Sequence, residues 1–590
     1  MKRLLRIALV PLLLSLCGCD WTDPLATWLL GEDPNASYTD EPVDPVTPDT
    51  SIDDPFVLED DEDAIANTSF DRTISIVFGA AGATVTGDEN GIVTVSGNDV
   101  TVNNTGSEKI RYELSGTASD GFFKIYGEKK QAIVLNGLDL TNPSGAAINN
   151  QNKKRTFVVV NGANQLADGK KYTDTPEGED EKAAFFSEAQ LIFSGKGSLD
   201  VTATGKAGIT SDDYVRVLDD PTLTVSSAGG HGIRGKDAVV IGGGTLEVTV
   251  SKKGKKAITS DGTVRFDGGT ATLTVSGGVD DSDLTDLSSS SGIKADVAFV
   301  MNAGTLTITN SGQGGKGISG DAGGLIAGGK VDITVTGSNY EVTGADAVGL
   351  EDTSCSAKGI KFDGKLVITG GGVRVSARSH EAIEAKGEMV ITGGEVYATS
   401  SDDAINSGGN IVIDGGRICA WSTGNDGIDA NGNCYIQGGI VYAIGSGTPE
   451  VGIDANSEGG FKLYVIGGTL AAIGGLENGA HLSQACYSAS WNKDDWYALY
   501  EDNSLVFAFK APDKGGNSLI VSTAGTPSLK AGVSPSGGVS LFEGTAYEGC
   551  TVSGGSDVSL SPYSGGNGMG MPGFPGGGPG GGQGGGPGRK

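Results

Sequence analysis

Residues 401–439 read SDDAINSGGNIVIDGGRICAWSTGNDGIDANGNCYIQGG, and the repetition within them indicates the architecture of the protein. It contains two near-copies of one phrase, DDAIN at 402–406 and NDGID at 425–429, each followed by an apolar segment and a Gly pair. The isoleucines of the two copies, Ile405 and Ile428, are 23 residues apart. Repetition at an interval of this length is typical of a solenoid, in which each repeat forms one structural unit that stacks on the next.

The same phrase recurs along most of the chain, at steps that are mostly 22 to 25 residues, and the longer steps contain insertions. Each repeat continues as an apolar strand, a Gly pair and a second apolar strand, with alternation of period two instead of the 3.6-residue period of a helix. The repeated position is occupied by Ile148, Phe185, Ile209, Ile233, Ile258, Ile293, Ile318, Ile360, Ile383, Ile405, Ile428 and Ile453.

This pattern predicts an all-β fold, a right-handed parallel β-helix over residues 71–480, with the isoleucines stacked as an interior ladder. A β-sandwich or a propeller fits less well, because sandwich strands keep no such phase and a propeller blade is roughly twice as long. The phase is lost after residue 480, and hairpin-like strands in 481–563 predict a β-rich cap that protects the open edge. The first strands, roughly 72–135, are expected to cap the other end.

Both termini read as segments outside the solenoid. Residues 1–19 form a signal peptide ending in the lipobox-like LCGC, which predicts lipidation of Cys19, with an ordinary secretory signal as the alternative. The acidic, Pro-rich residues 20–70 are predicted to be a disordered linker, and the Gly/Pro-rich residues 564–590 a disordered tail. The expected location is the bacterial cell envelope, at the outer membrane or cell surface, with the lipid as the only membrane anchor.

The chain is strongly acidic, with 42 Lys and Arg against 73 Asp and Glu and a formal net charge of −31. This balance argues against nucleic acid as a partner. It is compatible with calcium, with cationic partners or simply with solubility. The chain is expected to act as a monomer.

Two columns beside the isoleucine ladder, two residues before and one after each isoleucine, change from neutral or basic to acidic between Ile360 and Ile383. Carboxylates on neighbouring coils would lie about 4.8 Å apart and repel by roughly 3.5 kcal/mol. Ca²⁺ binds oxygen at about 2.3–2.6 Å and could bridge them. The absence of His and Cys from this cluster disfavours zinc and copper. A solvated acidic face is the alternative. The predicted calcium ligands are Glu381, Glu384, Asp402, Asp403, Asn406, Asp426, Asp429 and Asp454.

Basic residues directly precede the acidic block, namely Lys316, Lys358 and Lys361. They are interpreted either as inter-coil ion pairs with Glu381 and Glu384, which contribute little at a surface, or as a cationic stripe suited to polyuronate carboxylates. In an enzyme, Lys361 or Lys358 would be the catalytic base.

A third column follows the Gly pairs and is predicted to face outward. Arg374, Tyr397 and Tyr442 belong to it, and Trp421 lies on the same face. Aromatic rings on a flat strand surface can stack on sugar rings, and Arg374 could pair with an acidic sugar. The alternative is that the tyrosines stabilise the sheet by cross-strand packing.

Together these features resemble a family of bacterial exported β-helix proteins described as carbohydrate-binding domain-containing and related in fold to pectate lyases. The resemblance covers residues from about 70 to 560. It is carried by IRYELSGTASDGFFKIYGEKKQAIVLNGLDLTNPSGAAINN at 110–150, by NQLADG at 164–169 and by the repeated G-I-x-S and I-x-G-G phrases.

The resemblance implies calcium held by acidic residues between coils and binding of plant-type polysaccharides such as cellulose or pectin. Where the family usually has Asp before Gly-Ile, the early coils of this chain differ, which leaves residues 381–456 as the best calcium candidate. The residues that stand there instead are His231, Lys256, Lys316 and Lys358.

The sequence therefore favours an exported, lipid-anchored, calcium-binding protein that binds polysaccharide of the pectin (polyuronate) or cellulose type without catalysis. One alternative is a calcium-dependent polysaccharide lyase, because pectate lyases of one β-helix type carry Asp-Asp-Gly phrases similar to those at 401–406 and 425–429. The second alternative is a surface adhesin or scaffold that has no sugar ligand.

Overall fold

The computed structural model describes residues 39–173, 175–350 and 353–566. The predicted signal peptide, Cys19, residues 20–38 and most of the Gly/Pro-rich tail lie outside the described residues. Within these three ranges, no helix is both long and apolar enough to cross a membrane.

The predicted repeats stack as parallel coils, and each complete coil contributes a strand segment to each of three faces. On the first of these, the isoleucine face, Ile383 pairs with Ile405, Ile405 with Ile428 and Ile428 with Ile453. The prediction of a parallel β-helix is confirmed. The fifteen strands of the isoleucine face are Val93–Ser96, Asp99–Asn104, Phe122–Gly127, Ile148–Asn150, Ala183–Ser187, Ala207–Ser211, Ile233–Gly235, Lys256–Ser260, Ser291–Ala295, Lys316–Gly320, Lys358–Phe362, Ile383–Ala385, Ile405–Ser407, Ile428–Ala430 and Ile453–Ala455.

The other two faces are joined into one sheet because several strands continue across the corner between them, with a register shift in Thr263–Val275. In each coil the second face follows the isoleucine strand, and the third face follows the second. The 28 strands of this sheet are Arg72–Phe78, Thr84–Thr86, Ile110–Ala118, Gln131–Thr141, Thr156–Asn161, Ala163–Ala167, Leu191–Gly195, Ser198–Ala203, Tyr214–Val217, Thr222–Ser227, Ala238–Ile241, Thr245–Val250, Thr263–Val275, Ala298–Asn310, Gly323–Ile326, Lys330–Val335, Leu366–Ile368, Gly372–Ala377, Met389–Ile391, Glu395–Ser400, Ile411–Ser422, Cys434–Ile444, Leu463–Val465, Thr469–Ile473, His481–Leu482, Cys486–Ala489, Leu519–Ser522 and Ser561–Tyr563.

The interior of the coils is filled by the isoleucine ladder and by inward-facing residues of the other two faces, in one continuous core. Burial of each such side chain is worth roughly 1.5–3 kcal/mol. The second glycine of each Gly pair turns the corner between the second and third faces in the left-handed region. At Gly416 φ is +85°, and an added Cβ would lie 2.9 Å from the backbone of Gly393 on the previous coil. Glycine is required there by both its conformation and the close approach of the coils.

The end of the parallel stack is closed as predicted. Leu519–Ser522 pairs antiparallel with Thr469–Ile473, which uses the edge that the next coil would have occupied. A six-stranded antiparallel sheet, the cap sheet, follows from this region and packs against the third face. Its strands are Trp496–Glu501, Ser504–Lys510, Pro527–Ser536, Val539–Leu541, Ala546–Glu548 and Thr551–Val558.

The remaining described elements are short. At the other end of the solenoid, antiparallel pairing of Val93–Ser96 with Asp99–Asn104 starts the isoleucine face. An inserted hairpin pairs Tyr340–Glu341 with Ser354–Cys355. The helical segments are the α-helix Asp60–Asp63 and the 3₁₀ turns Ile65–Asn67, Gly344–Ala347, Ser457–Gly459 and Phe542–Gly544.

Residues 39–70, hereafter the strap, differ from the sequence prediction. They lie along the outside of the solenoid, and the chain enters beside its C-terminal coils and runs toward the first coils. The Asp40 N–H donates to the carbonyl of Leu482 at 2.8 Å, and Asp49 pairs with Lys365 at 2.9 Å. The prediction of a disordered linker is wrong for this part of the chain.

The apolar side chains of the strap explain why it docks. Ile52 packs against valines of the second face, and Phe56 and Leu58 pack against a cluster that includes Tyr214. Asp63, farther along, has a side chain with no exposed surface. These few apolar residues among many acidic ones carry no strong periodicity, so composition alone indicated disorder.

Candidate functional site

The acidic columns align as predicted. Glu384 pairs in register with Asn406, Asn406 with Asp429, and Asp429 with Asp454. The acidic phrases of neighbouring coils are therefore stacked at one edge of the isoleucine face. The predicted ligands nevertheless divide into two groups with different surroundings.

The first group is neutralised by the protein. The Lys358 ammonium lies 2.5 Å from Glu384 Oε2 and 3.1 Å from Glu381 Oε2, and Lys386 lies 2.5 Å from Glu384 Oε1. Burial raises the pKa of Glu381, but the hydrogen bond from His380 and the charge of Lys358 outweigh it and hold the pKa at about 2. These two carboxylates already have cationic partners and do not require a metal ion.

A histidine belongs to this group, contrary to the sequence interpretation. His380 Nδ1 contacts the Glu381 carboxylate and lies 3.0 Å from Asp402 Oδ2, and ligand atoms of the three residues lie within 4.8 Å of one another. The statement that His is absent from the cluster is wrong because only two columns were considered, and His380 precedes its isoleucine by three residues.

The second group, which we call the aspartate cluster, consists of Asp403, Asp426, Asp429 and Asp454 with Asn406, and offers only oxygen ligands. Burial and then the neighbouring carboxylates raise the pKa of Asp403 to about 9 and that of Asp429 to about 6, and burial comes first in raising the pKa of Asp426 and Asp454. The Asn406 amide donates to Asp403 at 3.1 Å and Asp429 at 2.7 Å. Across the described ranges, none of these four aspartates has a Lys, Arg or His in an ion pair.

The two lysines considered as catalytic bases are both held by carboxylates. Lys358 bridges Glu381 and Glu384, and Lys361 contacts Asp363. A general base must present a free electron pair to the substrate. The positions of these lysines therefore favour the ion-pair interpretation over the lyase interpretation.

Three of the four predicted sugar-binding residues meet in one open cleft of about 320 Å³. Arg374, Tyr397 and Trp421 line it, together with Glu543 of the cap sheet region. Trp421 pairs in register with Thr399, two residues beyond Tyr397, so the two rings lie diagonally on neighbouring strands. The remaining lining residues are Ser376, Ala377, Arg378, Thr399, Ser400, Ser401 and Thr423.

The prediction that Tyr442 is exposed is wrong. It points away from the solenoid core, as alternation requires, but the cap sheet covers it and leaves it 1% exposed. Its hydroxyl donates to the Lys510 carbonyl at 2.8 Å, and its ring centre lies 5.0 Å from that of Phe509. Tyr442 therefore anchors the cap sheet and does not line the cleft.

The charged residues of the cleft differ in their partners. Arg374 lies 2.8 Å from Asp332 and 2.6 Å from Glu543, so most of its charge is balanced. Arg378, two positions beyond Ser376 on the same outward face, is exposed and has no ion pair within the described residues. Arg378 was not among the residues predicted from the sequence, although the alternation in RVSAR places it on the same side as Arg374.

Both rings carry a hydrogen-bond donor. The Trp421 indole N–H is buried from solvent and has no hydrogen-bond partner in the described structure. Burial raises the pKa of the Tyr397 hydroxyl, which therefore stays protonated. A buried donor without an acceptor costs about 1–3 kcal/mol, and a ligand oxygen would recover it.

The cleft and the aspartate cluster are neighbours around one corner of the solenoid. Ser401 lines the cleft, and the next two residues are Asp402 and Asp403. The Ser422 hydroxyl donates to the carbonyl of Asp402 at 2.6 Å, and so ties the two coils together at that corner. Residues 401–403 therefore connect one wall of the cleft to the aspartate cluster.

A family model described as carbohydrate-binding domain-containing protein matches residues 96–404, more than half of the chain. The chain belongs to this family. A solved structure of a polysaccharide lyase-like protein from C. thermocellum, in a gadolinium derivative, is similar at 19% identity over 50% of this chain and 96% of that chain, with a TM-score of 0.33. No curated protein matches the chain.

Proposed function

We propose that the protein is an exported, lipid-anchored, calcium-binding β-helix that binds polysaccharide at the cleft and does not cleave it. Membership of a carbohydrate-binding family supports the general activity. The observation that carries the proposal for this site is the convergence of Tyr397, Trp421 and Arg378 on one cleft, with the unpartnered Trp421 N–H among them.

The chemistry of the cleft favours a polyuronate of the pectin type over cellulose. The rings of Tyr397 and Trp421 can pack on the apolar faces of any sugar. The exposed guanidinium of Arg378 can in addition form a bidentate pair with a carboxylate, which a neutral glucan does not carry. The hydroxyls of Ser376, Thr399 and neighbouring residues can bond to sugar hydroxyls.

Calcium is proposed to bind the aspartate cluster, which fits it by donor chemistry. Asp403, Asn406, Asp426, Asp429 and Asp454 supply hard oxygen ligands from neighbouring coils, and the buried carboxylates lack cationic partners among the described residues. Such an ion would supply the positive charge that offsets their mutual repulsion. Glu381 and Glu384 fit less well because Lys358 and Lys386 already neutralise them.

The anchor and location are supported by sequence alone. The apolar segment before Cys19 and the LCGC spelling favour a lipidated N-terminus, and the envelope location follows from it.

The cleft is tested by Trp421→Phe, which keeps an aromatic ring and removes the N–H. Binding of the full chain to polygalacturonate is measured by affinity electrophoresis or calorimetry. The affinity is expected to fall roughly tenfold, because the proposed hydrogen bond from the Trp421 N–H to the sugar is lost. Trp496→Phe, which changes a cap sheet tryptophan outside the cleft, is the matched control. Equal affinity of wild type and Trp421→Phe for every glycan that binds would reject the cleft as the binding site.

A further inference from the structure

A second polar cavity lies on the isoleucine face, around the coil of Ile233. This coil is five steps before that of Ile383, and at about 4.8 Å per step the cavity lies about 24 Å along the axis from the coils of the cleft. It has a volume of about 380 Å³, at the small end of the range for ligand pockets. Its basic side chains are Lys182, Lys206, Arg234 and Lys255. They come from four successive coils, because the strands that hold Phe185, Ile209, Ile233 and Ile258 pair in that order.

Two of these cations are balanced by carboxylates and two are not. Lys182 lies 2.5 Å from Asp212, and Arg234 lies 2.6 Å from Asp261. Lys206 and Lys255 form no ion pair with any residue of the described ranges. The cavity therefore carries two positive charges that the surrounding side chains leave unneutralised.

Lys206 is held in place by groups that do not cancel its charge. Its ammonium donates to the backbone carbonyl of Glu181 and lies 4.5 Å from the ring centre of Tyr172. A cation fixed over an aromatic ring is oriented without neutralisation. The amine is consequently preorganised for an anion that enters the cavity.

Two neutral groups add hydrogen-bond donors. Thr210 is only 1% exposed, yet its hydroxyl has no partner in the described structure. The backbone N–H of Lys256 donates to His231 Nδ1 at 3.1 Å, so the ring proton of neutral His231 resides on Nε2. The cavity thus presents several hydrogen-bond donors. A ligand with an acceptor oxygen could bond to them.

We propose that this cavity binds an oxyanion carried on a sugar ring, a uronate carboxylate or a sulfate ester, as a second glycan subsite separate from the cleft. An oxyanion offers the charge that Lys206 and Lys255 lack and an acceptor oxygen for Thr210. The inference rests on the proposed function only in that the ligand is part of a polysaccharide.

The test measures binding of oligogalacturonate, a sulfated oligosaccharide and a neutral cello-oligosaccharide to the full chain in the Trp421→Phe background, which weakens the cleft. Lys255→Gln is expected to lower the affinity for an anionic ligand about tenfold and to reduce its salt dependence. Lys236→Gln, an exposed lysine outside the cavity, is the charge-matched control and should change neither.

Thr210→Val provides an independent readout, because the hydroxyl that it removes has no partner to lose. Its thermal midpoint should equal or exceed that of the parent, while anion affinity falls severalfold. Tight binding of either anionic oligosaccharide, unchanged in both Lys255→Gln and Thr210→Val, would overturn the proposal. So would the absence of any anionic binding that survives Trp421→Phe. A loss of glycan binding through Trp421→Phe alone would leave the cleft proposal intact.

Discussion

Trp421 and Thr210 each line a cavity and carry a buried hydrogen-bond donor. Neither donor has a partner in the described part of the protein. In one case the donor belongs to a ring that can stack on a sugar, and in the other it lies among cations. Such unpaired buried donors indicate a binding site more strongly than the abundant surface carboxylates do. An unpaired buried donor lowers the stability of the fold, whereas a surface ion pair changes it little.

His231 gives a prediction for a single titrating group. Burial lowers its pKa to about 3, and the charges of Lys256, Lys255 and Arg234 act in the same direction. Unfolded histidine titrates near 6.5, so the unfolded chain binds more protons between about pH 6.5 and 3, and stability is lost as the pH falls through this window. His231→Asn, which retains an acceptor for the Lys256 N–H, removes this loss.

In urea unfolding, the stability of His231→Asn relative to wild type should therefore rise by on the order of 1 kcal/mol per pH unit below about pH 6. His481→Asn, on the second face, is the control. A constant difference between His231→Asn and wild type across this range would contradict the assignment.

Among the elements, the strap differs most from the sequence prediction. Its buried Asp63 lies 2.8 Å from Arg155 Nε, 2.7 Å from Arg216 and 2.6 Å from the Tyr214 hydroxyl. These partners come from the second face, and they convert an acidic segment into a docked one. Burial raises the pKa of the Tyr214 hydroxyl, and the bond to Asp63 adds to this, so the hydroxyl remains a donor.

Replacement of Asp63 by Ala tests whether this network holds the strap. It removes the buried carboxylate that Arg155 and Arg216 share. Because Arg155 keeps its ion pairs with Glu59 and Glu62, and Arg216 keeps Asp60, the cost should be smaller than the roughly 3–5 kcal/mol of a buried charge left unpaired. We expect increased proteolysis within residues 39–70 and a lower urea midpoint. Asp61→Ala, an exposed change in the same helix, should alter neither. Protection of the strap equal to wild type in Asp63→Ala would show that its apolar residues suffice.

For the whole molecule, the proposed calcium is expected to act on the stacking of coils. Chelation at neutral pH should lower the thermal midpoint because the folded protein then loses a ligand that binds its aspartate cluster and not the unfolded chain. Asp403→Asn removes one acidic ligand without changing shape. Because burial and the neighbouring carboxylates raise the pKa of Asp403 to about 9, the wild-type group is already protonated in the chelator. The substitution should therefore change stability little in the chelator and reduce the gain on addition of calcium. Asp414→Asn, a solvent-exposed change on the same coil, is the control. Identical midpoints of wild type with and without calcium would reject a calcium role in stacking.

The repeat phase was sufficient to predict the isoleucine ladder and the acidic columns, because in a stack of parallel coils a fixed interval places equivalent residues side by side. It could not predict that the cap sheet covers Tyr442, nor that the strap docks, since both depend on contacts between segments far apart in sequence. The cleft was partly predictable for the same reason: alternation gave the outward direction of Tyr397, Trp421 and Arg374, whereas Glu543 reaches it from the cap sheet region.

The strap has a consequence for how the protein unfolds. In an array whose units contact only their neighbours, either end can fray independently of the other. Here one segment touches Leu482 near the last coil and Arg155 near the first, and so couples the two ends. Fraying at one end must release contacts that also secure the other, so the molecule should melt as a single cooperative unit. During synthesis, the earliest described residues cannot complete their contacts until the last coil has formed.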